Sequence, residues 1–245
     1  MDFEKEVRKR ISTNEQNIEF KAIAREFMLA STHPKYSYNF SWLGRPIIQY
    51  PQDIVAMQEI IWQVQPDLII ETGIAHGGSL IFYASLLELN AVCGGPKDAE
   101  LIGIDIEIRS HNRKALEEHR MFHRISMIEG SSVDSNIIAQ VKRKALGKQR
   151  VLVCLDSHHT HRHVLSELEA YAPLTTVDSY CVVFDTVIED MPVDFFPDRP
   201  WGPGNNPKTA VRKYLETHPE FLIDKSIEHK LLITVAPDGY LKRVK

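Results

Sequence analysis

The stretch Leu68-Ile69-Ile70-Glu71-Thr72-Gly73-Ile74-Ala75-His76-Gly77-Gly78-Ser79 limits how this chain can fold more than any other. A short apolar run ends on an acid, turns through three glycines and enters a Leu-, Ala- and Ser-rich segment that reaches about Leu89. That pattern predicts a buried strand, a tight turn and a helix. Such a unit builds a ligand pocket at the carboxyl edge of a parallel sheet. Glycine lets the backbone come close to a ligand, and the start of the helix offers unpaired N–H donors. The spacing excludes two common ligand classes. A dinucleotide fingerprint requires G-x-G-x-x-G, whereas the pattern here is Gly73-x-x-x-Gly77-Gly78 with Ala75 between. No Lys-Ser/Thr pair follows the turn, so it is not a phosphate-cradling loop either.

The rest of the chain repeats the unit. Apolar segments at about 68–72, 101–105, 125–128, 151–155 and 180–184 read as strands, alternating with helices near 79–91, 111–119, 134–145 and 160–170. Strands of near-continuous Val, Ile and Leu imply a parallel sheet covered on both faces. A proline-rich loop over 185–206 breaks the rhythm. A helix near 208–217 and strands near 220–224, 231–236 and 240–244 follow, with Pro237-Asp238-Gly239 as the turn of a closing hairpin. Upstream, residues 3–29 read as one amphipathic helix, and 33–46 is dense enough in aromatics to line a pocket. Asp53 stands where a helix N-cap should. We therefore expect a helical arm and aromatic cap over 1–50 and one α/β domain over 51–245.

Composition removes several functions. A net charge of −4, with Lys and Arg dispersed, gives no footprint for nucleic acid. The apolar stretch Leu80–Val92 is broken by Glu88 and Asn90, too short and too polar for a membrane span. The charged start Met1-Asp2-Phe3-Glu4-Lys5 does not read as a signal peptide. Three cysteines without paired spacing point to a reducing, cytoplasmic setting. The arm and the sheet edges suggest a homo-oligomer.

Four further groups carry chemistry. Asp105 closes Leu101-Ile102-Gly103-Ile104-Asp105, where an acid can accept the ribose hydroxyls of an adenosyl cofactor. Gly130-Ser131-Ser132 falls after the next strand, where adenine would be contacted or a helix capped. The run Asp156-Ser157-His158-His159-Thr160-His161-Arg162-His163 then holds four histidines just after a strand, and Asp185 ends the strand after that. Asp156 and Asp185 converging from adjacent strand ends suit a hard divalent ion such as Mg²⁺. Such an ion lowers the pKa of a hydroxyl bound to it, with His159 or His161 as the base. The run also suits a softer metal, and His159-x-His161 with a distant acid suggests an iron oxygenase. Trp201-Gly202-Pro203-Gly204-Asn205-Asn206-Pro207 offers Trp201, Asn205 and Asn206 to a polar substrate such as a sugar, or serves as a rigid lead into the next helix.

Taken together, these motifs resemble the cephalosporin hydroxylase family, which includes rhamnosyl O-methyltransferase-like proteins. The resemblance runs from about Tyr38 to Arg243. It implies a Rossmann-like class I methyltransferase fold: a seven-stranded, mostly parallel sheet with an antiparallel C-terminal hairpin and helices on both faces. It also implies S-adenosylmethionine (SAM) as methyl donor, a sugar or natural-product hydroxyl as acceptor, and Mg²⁺. Glu71, Gly73, His76, Gly77 and Ser79 would then hold the methionine end, Asp105 the ribose, and Ser131 and Ser132 the adenine. Asp156, His159 and His161 would act at the acceptor. Related metal sites carry two adjacent polar residues where this chain has Phe184-Asp185, which leaves His158, His159 or water to complete the shell. The competing expectations are the oxygenase and a non-catalytic SAM-binding partner protein.

Overall fold

A computed structural model describes residues 2–245. Two helices, α1 (Phe3–Gln16) and α2 (Ile18–Thr32), stand where the sequence suggested one. Asn17 is the reason: its side chain accepts from Phe20 N (3.0 Å) and restarts the helix. A short ribbon follows, β1 (Phe40–Trp42) and β2 (Arg45–Ile47). Then come α3 (Pro51–Val64), β3 (Leu68–Thr72), α4 (Gly78–Val92), β4 (Glu100–Asp105), α5 (Ser110–Glu117) and β5 (Ile125–Glu129). The chain continues through α6 (Ser135–Ala145), β6 (Val151–Leu155), α7 (His161–Tyr171) and β7 (Tyr180–Val183). It ends with α8 (Pro207–Leu215), β8 (Phe221–Ile223), α9 (Lys225–Leu231) and β9 (Tyr240–Arg243).

Seven strands form one sheet in the order β5-β4-β3-β6-β7-β9-β8, parallel from β5 to β7, with β9 antiparallel to both its neighbours. Alternation along the strands divides the core. Ile69, Leu101, Cys154 and Val182 pack with α3 and α4 on one face. Ile70, Ile102, Val153 and Val183 pack with α6, α7 and α8 on the other. Strand order reverses beside β3, the first strand of the sheet, which has β4 on one side and β6 on the other. Ligands of open α/β sheets bind at such a switch point, beyond the carboxyl ends of the strands.

The C-terminal hairpin departs from the sequence reading. Residues 231–236 are not a strand. Instead α9, capped by Asp224 (Ser226 N at 3.1 Å), is inserted between β8 and β9, and these two strands make the antiparallel pair. Residues 232–239 stay irregular because Asp53 claims their polar groups. Its carboxylate accepts from Thr234 Oγ1, Val235 N (3.0 Å) and Tyr240 OH (2.8 Å). Asp53 is thus no N-cap. Tyr50 holds that position ahead of Pro51, and Asp53 lies fully buried in the first turn of α3. Burial pushes its pKa up to about 6, against the pull of those hydrogen bonds.

Candidate functional site

The glycine turn sits on the switch point. Gly73 takes φ +92° and donates its N–H to Ile104 O (2.8 Å), while Asp156 N donates to Thr72 O (2.9 Å). A Cβ on Gly73 would lie 2.1 Å from Asp156 O, so only glycine lets β3 and β6 leave the sheet side by side. Gly78 is required by packing, since a Cβ there would meet Pro46 O at 2.1 Å. Asp105 pins the turn from the β4 side. Its Oδ2 accepts from Ile74 N (2.7 Å) and Ala75 N (3.2 Å), and its Oδ1 from Glu107 N (3.2 Å).

Two cavities open around this turn. The first, of about 860 Å³, brings together Gly73, Asp105, Ser131, Ser132 and Asp156, with Ile106, Val133 and Ile138 as apolar walls. The second, of about 650 Å³, lies across the turn under α2. It is lined by Tyr38, Tyr50, Phe195, Phe196 and Trp201, with Gln49, Asp156, His159 and Asp185 among its polar groups. Ala75, Asp156 and Ser157 line both cavities, so the two meet at Asp156.

At that junction Asp156, His159 and Asp185 bring one ligand atom each within 4.8 Å of one another. His159 Nε2 lies 3.1 Å from Asp185 Oδ2, and Trp201 packs edge-on against the His159 ring (centroids 4.9 Å apart). The Asp156 carboxyl is held well above the usual carboxylate range, first by burial and then by the charge of Asp185. Phe184, at the position where a second polar ligand was expected, is buried in the core, and His159 stands as the third member of the group.

Other residues singled out from the sequence lie elsewhere. Glu71 is buried behind the turn, with Ser79 beside it and its Oε2 unpaired. Gly77 packs against Leu116 and lines neither cavity. The carbonyl of His76 accepts from the Arg45 guanidinium (Nε at 3.1 Å). His161 does not join His159: its Nδ1 sits 2.8 Å from Thr209 Oγ1, and its backbone N–H donates to Asn205 Oδ1 (3.0 Å). No two-histidine, one-carboxylate metal group forms among the described residues. Asn206, fully buried, caps α8 and donates to Glu189 Oε2 (2.5 Å). The loop asparagines therefore fold the 200–206 segment onto α7 and α8, while Trp201 alone of the three faces the cavity.

A network at the rim of the first cavity was not legible in sequence. His163 Nε2 lies 3.1 Å from both Ser132 Oγ and Ser157 Oγ, and Ser157 donates to the fully buried Glu167 (2.7 Å). Only the four-residue spacing of His163 and Glu167 hinted at it.

This arrangement has relatives. The family model described as Rhamnosyl O-methyltransferase/CmcI matches residues 34–244. The chain belongs to this family. It is thereby a SAM-dependent O-methyltransferase by class. A rhamnosyl O-methyltransferase of Mycobacterium bovis is 31% identical over 230 residues, covering 91% of this chain and 85% of the relative. Among solved structures, CmcI with Mg and SAM superposes with a TM-score of 0.57 at 17% identity, over 85% of this chain and 78% of that one. A TDP-rhamnose 3'-O-methyltransferase of calicheamicin biosynthesis gives 0.53 at 17%, over 99% and 95%. At those identities the likeness concerns the fold. The oxygenase expectation gives way to the family match.

Proposed function

We propose that the protein methylates a hydroxyl of a sugar or sugar-bearing natural product, with SAM in the first cavity and the acceptor in the second. The observation that carries this reading is the meeting of the two cavities at Asp156. Direct methyl transfer needs the acceptor oxygen, methyl carbon and sulfur in line, and holding two molecules in that geometry supplies most of the rate. The residues fit the cofactor. Asp105 and the backbone it fixes offer polar contacts for a ribose, Ile106, Val133 and Ile138 offer apolar walls for a base, and Ser131 and Ser132 lie beside them. Glu71 keeps an unpaired buried oxygen next to the turn, where a positive amino group would satisfy it. When bound, the cofactor supplies an electrophilic methyl group on a sulfonium. The Asp156–His159–Asp185 group would take the proton of the acceptor hydroxyl, whose oxygen would accept the methyl group.

The same group fits a divalent cation. Two carboxylates and an imidazole converge, and burial disfavours leaving the Asp156 charge uncompensated. With an ion such as Mg²⁺ held by Asp156, Asp185 and His159, the ion would activate the acceptor hydroxyl as a Lewis acid in place of the group acting as base. The aromatic cavity suits the face of a sugar ring, and the rhamnosyl and TDP-rhamnose activities named for relatives make rhamnosides the first acceptors to try. Residues 1–50 would serve as the wall over the acceptor and 51–245 as the transfer domain, in a reducing, cytoplasmic setting. The exposed face of α2 formed by Phe20, Ile23 and Phe27 would support self-association.

The test is transfer of labelled methyl from SAM to rhamnosides by wild type, Asp156→Asn and Asp185→Asn, with and without chelator. Loss of at least a hundredfold in kcat in both variants, with SAM affinity within about threefold of wild type, supports the reading. Undiminished transfer by both variants would remove the acidic pair from the chemistry.

A further inference from the structure

Gln49 lies between the end of β2 and the start of α3 and lines the second cavity together with Asp156, His159 and Asp185. It is only 3% exposed, yet neither Nε2 nor Oε1 makes a hydrogen bond of good geometry. Its neighbours hold it in place. Ile47 is buried in the core, and the Tyr50 hydroxyl is hydrogen-bonded to Ser31 Oγ (2.7 Å) in a buried contact. The Tyr83 hydroxyl lies within reach of the Gln49 amide and can satisfy one of its two polar atoms, which leaves the other without a partner. A buried amide atom without a partner costs free energy that a methionine of similar length at this site would avoid. Such a group makes sense if a ligand completes it.

The chemistry of that ligand follows from the amide. A carboxamide presents one acceptor and a pair of donors on one planar edge. A hydroxyl both donates and accepts, so neighbouring hydroxyls of a polyol can give a hydrogen to Oε1 and take one from Nε2. We propose that Gln49 is a specificity-determining residue that reads a second hydroxyl of the acceptor, adjacent to the one that is methylated. The inference rests on the acceptor reading of this cavity. It narrows the substrate class to polyols with a free neighbouring hydroxyl, and it disfavours acceptors with a single isolated hydroxyl. A site built to bond a hydroxyl rejects the analogue that lacks it because its own polar atoms are then left unpaired.

The experiment is calorimetric binding of p-nitrophenyl rhamnoside and its monodeoxy analogues to protein saturated with S-adenosylhomocysteine. It compares wild type, Gln49→Met and Gln49→Asn, with thermal melting of each. We expect wild type to prefer the parent glycoside over one deoxy analogue by roughly ten- to a hundredfold. Gln49→Met should lose that preference while melting no lower than wild type, because it removes a buried polar atom without a partner. Affinity for S-adenosylhomocysteine should not change in either variant. Full discrimination retained by both variants overturns the inference, as does a loss confined to S-adenosylhomocysteine affinity. If wild type binds S-adenosylhomocysteine but no rhamnoside, the rhamnoside reading falls and the inference with it. Binding undiminished by Gln49→Met overturns the inference alone.

Discussion

Replacing Glu71 by glutamine tests the buried acid at the heart of the glycine motif. Glu71 is 1% exposed, and its pKa rises from 4.5 to about 8, chiefly through burial and in smaller part through the charge of Asp105, against a hydrogen bond from Ser79. A carboxyl raised in the folded state binds more protons than its unfolded counterpart between those two values, so stability falls as pH climbs. The two pKa values make the wild type lose a few kcal/mol, on the order of 3, between pH 5 and pH 8 from this group. The amide introduced by Glu71→Gln cannot ionise, so the variant keeps that stability. Urea unfolding followed by tryptophan fluorescence at pH 5, 6, 7 and 8 should show the gap between the two proteins widening steadily in favour of the variant. A second consequence concerns the cofactor. At pH 7 the free wild type holds Glu71 mostly protonated, and the cofactor amino group we propose beside it would release that proton. Calorimetric titration with SAM in buffers of different ionisation enthalpy should therefore report nearly one proton released per site, and none in Glu71→Gln. Unfolding curves that stay parallel across the pH range would refute the reasoning, because they would mean that Glu71 is ionised in the fold at little cost.

Other substitutions separate binding from architecture. Asp105→Ala removes the acceptor of Ile74 N, Ala75 N and Glu107 N, and should weaken SAM at least tenfold; an unchanged dissociation constant would take Asp105 out of the pocket. Asp53→Ala strands Thr234, Tyr240 and the Val235 N–H in the core, and should lower stability by about 3 kcal/mol in denaturant unfolding at pH 8, with SAM affinity little changed. Asn206→Ala loses the α8 cap and should lower stability by about 1 kcal/mol, and rhamnoside affinity within twofold of wild type would show that the side chain serves the loop rather than the substrate.

Strands and turn were legible because their signals are local. An apolar run, an acid and glycines specify β3 and its exit whatever surrounds them, and Asp105, Asp156 and Asp185 fall at strand ends by the same logic. What failed depended on partners distant in sequence. Asp53 looks like a cap until the 234–240 segment folds across it. The 231–236 run looks like a strand because Leu231, Ile233 and Val235 do pack against the core, but from the end of α9 and the irregular chain pinned by that same acid. The histidine cluster offered His159 and His161 as bases on equal terms. Only the packing of α7 against α8 assigns His161 to Thr209, leaves His163 with the serines, and sets His159 beside Asp185. Gln49 carried no signal at all, since a lone glutamine before a helix becomes informative only when its burial and missing partners are known.

The most direct test of the two-cavity account is a titration of p-nitrophenyl rhamnoside into the protein, first alone and then saturated with S-adenosylhomocysteine. Separate cavities meeting at Asp156 predict a ternary complex, with rhamnoside affinity equal or higher when the cofactor product is bound. Mutual exclusion of the two ligands would contradict the account, because it would put donor and acceptor in the same space.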